Sequence, residues 1–123
     1  MGKTDITQES TLKGDCGEWI MPVKDALDAL HGRWKIPIII AVSFGSKRFN
    51  EIAREIPGIT DKTLSKELKD LEVNQLVSRT VINSFPLRVE YAITAHGRTL
   101  KNVMTELRSW GRAHRAEIFK QKS

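Results

Sequence analysis

A single cysteine, Cys16, stands in these 123 residues. One thiol closes no disulfide within the chain, and without a CxxC pair neither a zinc site nor a thioredoxin-type redox centre has its ligands. The three histidines, His31, His96 and His114, lie far apart, and none falls in HExxH spacing. There is no GxGxxG, and Gly45-Ser46-Lys47 lacks the earlier glycine of a phosphate-binding loop. No nucleophile–base pair or metal cluster is visible. An enzyme is therefore not expected, and no catalytic residue, metal or cofactor is assigned. Long apolar runs are missing too. Ile36 to Val42 is the longest, far short of the roughly 20 residues that span a bilayer. The polar start, MGKTDITQESTLKGD, has no signal-peptide pattern. The expectation is a cytoplasmic protein with no membrane partner, in which residues 1–15 form a flexible N-terminal arm and residues 16–123 a single domain.

An acidic excess is also absent: the formal net charge is +5. Residues 1–47 carry six basic and six acidic side chains, and residues 48–91 seven of each. The remainder carries seven and two, so the surplus lies wholly near the C-terminus. Global charge is therefore weak support for a nucleic-acid partner, and the case depends on which faces carry it.

Arg48 to Thr94 is the informative stretch. Phe49, Ile52, Ala53 and Ile56 recur at helical spacing, so Arg48 to Ile56 reads as a short helix ended by Pro57-Gly58. Thr60 is a good N-cap for a second helix, from about Asp61 to Val73, and Asp61 suits its positive end. Leu64, Leu68 and Leu71 form that helix's apolar stripe. Lys62 lies two positions from Leu64, about 200° around the axis. Lys62, Lys66 and Lys69 thus form a basic stripe facing away from the leucines, with Glu67, Asp70 and Glu72 mostly between the stripes. Thr60, Thr63 and Ser65 place small hydroxyls near the helix start. Such a face suits a major groove, lysines neutralising phosphates and hydroxyls reaching phosphates or base edges. The plainer alternative is a solvated face of Glu–Lys pairs.

Two alternating runs follow, Val77-Arg79-Val81 and Val89-Tyr91-Ile93, around a turn at Asn83 to Leu87. A hairpin after a helix pair is the order of a winged helix-turn-helix, with Arg88 at the base of the wing. Arg79 has a simpler reading, a cross-strand pair with Glu90.

Upstream, Pro22 suits the first turn of a helix whose apolar face is Val23, Ala26, Leu27 and Leu30, ended by His31-Gly32. Ile36 to Phe44 is a buried helix or a buried strand by periodicity alone. Downstream, Thr94 can cap a long helix (94–118), with Gly97 weak in its first turn and Gly111 a place for a kink or an end. Leu100, Val103, Met104, Leu107 and Trp110 give it an apolar stripe longer than a small core covers, and Trp19 lies in a segment of mixed apolar and polar residues, Cys16 to Ile20, suited to a neighbouring subunit. A symmetric homodimer is the expected solution.

The residues resemble the HxlR-type regulators, a winged-helix family. The likeness covers roughly Met21 to Gly111. It rests on Pro22-Val23, Leu27 and Leu30, Gly32-Arg33-Trp34, Arg48-Phe49-Asn50-Glu51-Ile52 and Ile56-Pro57-Gly58-Ile59-Thr60. Leu64, Leu68, Leu71-Glu72, Leu76-Val77, Arg79, Val89-Glu90-Tyr91 and Trp110-Gly111 complete it. The resemblance implies an α+β, mainly α fold, a winged helix-turn-helix with flanking N- and C-terminal dimerisation helices. It makes Ile36 to Phe44 a helix. It implies a homodimeric, sequence-specific regulator that binds double-stranded operator DNA through helix 60–74 and wing 82–88. On this reading Asn50 clamps the backbone, and Thr60, Lys62, Thr63, Ser65, Lys66 and Lys69 serve the groove. Ser84 and Arg88 serve the wing. A protein-interaction winged helix is the alternative, and it would need an apolar recognition face. A small-molecule effector could sit in an interface pocket lined by Trp19, Trp34 or Trp110. Several members sense oxidants through a cysteine directly before the Pro-Val of the first helix, where this chain has Met21. Cys16 is the remaining redox candidate, although Asp15 and Glu18 flank it and neighbouring negative charge disfavours a reactive thiolate.

Overall fold

The computed structural model describes residues 11–122, with side chains as far as Lys120. Most of the expected arm, residues 1–10, lies outside the described residues. The described residues fall into two compact units, divided between His31 and Gly32.

The first unit contributes α1, Cys16–Leu30. Its N-cap is Asp15, whose carboxylate accepts from the Glu18 N–H while Glu18 accepts from the Asp15 N–H. This reciprocal box starts the helix six residues before Pro22. The expected first-turn role of Pro22 is thus corrected: it lies inside the helix, where one N–H···O bond is forgone. The Trp19 indole donates to the Lys13 carbonyl. Along one side Trp19, Ile20, Val23 and Leu27 are all exposed.

The second unit holds the core. α2 (Lys35–Ser43) is helical despite its β-branched run. Ile38, Ile39, Ala41 and Val42 are buried, and a helix apolar around much of its circumference is one that others cover. β1 (Lys47–Arg48) leads into α3 (Phe49–Glu55), and α4 spans Asp61–Val73. The turn between α3 and α4 uses Gly58 at φ +85°, a conformation that favours glycine. Ile52 of α3 and Leu64, Leu68 and Leu71 of α4 close on α2 as the core.

β2 (Val77–Ile82) and β3 (Arg88–Ile93) form the hairpin, and β1 adds to the far side of β3, giving sheet order β1-β3-β2, all antiparallel. The sequence reading had placed Arg48 in the helix; it pairs instead with Glu90 across the sheet and precedes α3 as its N-cap. Arg79 faces Tyr91 in the register. The expected Arg79–Glu90 pair is replaced by contacts of Glu90 with Arg88 and the Ser46 hydroxyl.

Thr94 does cap a helix, accepting from the Gly97 N–H, but that helix is the short α5, Ala95–Arg98. The chain breaks at Thr99-Leu100 before α6, Lys101–Lys122. One long helix from Thr94 is therefore replaced by two. Gly97 is buried where an added Cβ would strike the Leu76 carbonyl oxygen and stand 2.7 Å from Ile93 Cγ1. Close approach explains a glycine there. Gly111 neither kinks nor ends α6, which runs through it.

Candidate nucleic-acid interface

The face of α4 opposite its buried leucines carries Lys62, Ser65, Lys66 and Lys69, all exposed, while Thr63 is half-buried. Thr60 caps the helix: its Oγ1 accepts from the Thr63 N–H at 3.1 Å and donates to Thr63 Oγ1 at 3.0 Å. The Thr60 proton is thereby spent inside the turn, and the Thr63 hydroxyl keeps its own donor for an outside acceptor. Neither Lys62 nor Lys69 has an ion-pair partner among the described residues. Lys66 is held loosely by Asp70, 3.5 Å away and one turn on.

The acids of α4 are not simply spaced between its stripes, as the sequence suggested. Glu67 is buried, and its Oε1 lies 2.5 Å from Nζ of Lys35, itself only 1% exposed. Asp70 Oδ2 lies 3.4 Å from the same ammonium. Burial tends to raise the Asp70 pKa, but hydrogen bonds and charge from Lys35 and Lys66 outweigh it, and the carboxyl titrates below its ordinary value. No pattern flags Lys35 in the sequence. It stands just ahead of the apolar run Ile36 to Val42, and once buried there a lysine requires partners.

Asn50 is exposed in the first turn of α3. Next to it, the Arg48 N–H donates to Glu51 at 2.8 Å. That bond, aided by the charges of Arg48, Arg54 and Lys47 against desolvation, holds the Glu51 carboxyl below its ordinary range.

In the wing, the Ser84 hydroxyl donates to the Pro86 carbonyl at 2.7 Å, so it shapes the turn and has no second proton for a phosphate. Arg88 is partly exposed, with Nη2 3.8 Å from Glu90 and a buried Nε that has no hydrogen-bond partner among the described residues. The sequence reading places the wing at residues 82–88 but does not single out its apolar tip, where Phe85 is fully exposed and Leu87 largely so. An aromatic in a turn between polar and proline residues was the cue. On α6, Val103, Leu107 and Trp110 are exposed, Met104 is half-buried, and Leu100 lies just ahead of the helix, half-buried. Trp110 stacks on His114, ring centroids 4.7 Å apart. Trp34 lies under the Arg33 guanidinium in a different groove, with Pro37, Phe44 and Ile56. Trp34 and Trp110 thus line different grooves. Cys16 is exposed in the first turn of α1.

Residues 29–119 match the family model for the HxlR-like helix-turn-helix. The chain belongs to that family. YybR of Bacillus subtilis (strain 168), an HTH-type transcriptional regulator, is 38% identical over 94 residues, covering 76% of this chain and 75% of YybR. YodB of the same organism, also an HTH-type transcriptional regulator, is 39% identical over 88 residues, 72% of this chain and 79% of YodB. The solved structure of the redox regulator HypR in its reduced form superposes with a TM-score of 0.75 at 36% identity, covering 80% of this chain and 98% of HypR. The winged helix-turn-helix and the role of a transcriptional regulator, not an enzyme, follow from membership of the HxlR-like family. No helix among the described residues is long and apolar enough to cross a membrane.

Proposed function

We propose that this HxlR-like chain is a cytoplasmic regulator that binds operator DNA as a homodimer, with α4 in the major groove and the hairpin turn as its wing. The exposed basic face of α4, back to back with its buried leucines, is the observation that carries this reading. Lys62, Lys66 and Lys69 neutralise phosphates. Thr63 and Ser65 offer hydroxyl donors, and Asn50 of α3 contacts the backbone beside them. Thr60 acts through the cap. Arg88, rather than Ser84, serves the wing. Residues 16–123 work as one winged-helix domain. The exposed apolar faces of α1 (with Trp19) and of α6 (Val103, Leu107, Trp110) are covered by the second copy. Two heads then read an inverted repeat with half-sites about one DNA turn apart.

The test is titration of the protein against its own upstream intergenic DNA at several salt concentrations, beside Lys66→Ala. Competitor-resistant binding is expected, with the variant weaker on every sequence and its salt slope smaller by about one. Binding erased by modest salt, with no preferred sequence, would refute the operator reading. The fully exposed Phe85 favours the second reading, a winged helix that docks a protein, which that outcome would bring forward. An oxidant belongs in the same titration. Cys16 has no second cysteine in the chain, so unchanged affinity is expected, and a shift abolished by Cys16→Ser would establish oxidant sensing.

A further inference from the structure

The helix proposed to meet phosphate is itself net negative. Over Asp61–Val73 there are four acids (Asp61, Glu67, Asp70, Glu72) against three lysines. Two of the acids are compensated from another element. Lys35 of α2, fully buried, lies 2.5 Å from Glu67 and 3.4 Å from Asp70. The same Asp70 oxygen lies 3.5 Å from Lys66, whose side chain is 68% exposed. One carboxylate is thus shared by a buried ammonium and a solvated one. The contact with Lys35 is part-buried, Asp70 being 38% exposed, and so is less screened by water and salt than the surface contact, which is weak and readily exchanged.

We propose that Lys35 is a positioning residue for DNA binding. From inside the fold it supplies the counter-charge for Asp70, leaving Lys66 free to exchange that carboxylate for a phosphate. Without Lys35, Asp70 has Lys66 as its only counter-ion among the described residues and withholds it from the duplex. This rests on the reading that α4 faces DNA.

The test is the double variant Lys35→Met, Glu67→Met. It replaces a buried ion pair by apolar side chains of similar reach, a change that folded proteins often tolerate, and it leaves Asp70 and Lys66 in place. The probe is a short mixed-sequence duplex, because the phosphate contribution needs no operator. Circular dichroism should show the wild-type fold. Affinity should fall roughly threefold to tenfold, and the slope of log K against log salt should shrink by about one, the signature of a lost phosphate contact. Adding Asp70→Asn to the double variant should restore both, a rescue that a simple tilt of α4 would not allow. Wild-type affinity and slope in the double variant, or a loss that Asp70→Asn does not repair, would overturn the proposal. Asp70→Asn alone keeps it testable if the double variant does not fold. With Lys35 in place this single change should alter affinity by no more than about twofold, as for a surface ion pair. A several-fold gain would mean that Lys35 leaves Asp70 uncompensated, contrary to the proposal. A wild-type chain that ignores the duplex would refute the DNA reading and, with it, this one.

Discussion

Asp70 sits between two ammonium groups, so part of the stability of α4 depends on its staying ionised. Its pKa in the folded chain lies below the ordinary 3.8. A depressed carboxyl contributes stability that is fully present above the unfolded value and is lost as pH falls through the folded one. Acidification below about pH 4 should therefore weaken the fold, and Asp70→Asn should flatten that acid limb. Urea unfolding at a series of pH values checks this: wild type should lead the variant near neutrality and converge on it in acid. Parallel curves would remove Asp70 from the ion network. The lysine stripe of α4 was readable because helical periodicity alone puts Lys62, Lys66 and Lys69 on one side. Lys35 was not, because its partners lie 32 and 35 positions away.

At the level of elements, caps and close contacts decide where helices begin. Thr60 caps α4 as its residue type suggests, and Thr60→Ala should cost about 1 kcal/mol of stability. A change near zero in thermal unfolding would mean that another group takes the cap. Gly97 sets two effects against each other. Alanine is better than glycine in a helix by about 1 kcal/mol. Yet its Cβ would meet the Leu76 carbonyl oxygen and Ile93, and overpacking costs about 1–3 kcal/mol. The obstacle is backbone, so the clash wins and Gly97→Ala should lower the melting temperature. A raised one would show that the turn after α4 yields. Local signals foretold α4 and the hairpin to within a residue or so. They failed for β1, where two residues gain strand character only by pairing with Tyr91 and Glu90. They failed also for the start of α1, where the Asp15–Glu18 box outweighed Pro22 as a punctuator.

For the whole molecule, the exposed apolar faces of α1 and α6 are the largest unsettled account, and a second copy is the proposed cover. Leu107, half exposed on α6, is not needed by its own core, so Leu107→Glu should leave helicity intact and halve the mass seen by light scattering. An intact dimer would move the interface elsewhere. The helix pair and hairpin were already legible in the sequence, because turn residues, caps and hydrophobic period act over neighbouring positions, and the family was legible in the motifs that carry the resemblance. The same local rules put the basic stripe opposite the leucines. The tertiary structure alone decided that Glu67 turns inward to Lys35, that Asp70 is shared by two lysines, that Arg79 faces Tyr91, and that Thr94 starts a short helix with the long one beginning anew at Lys101. Each of these joins residues distant along the chain, or follows from such packing, and only the folded backbone brings them within reach.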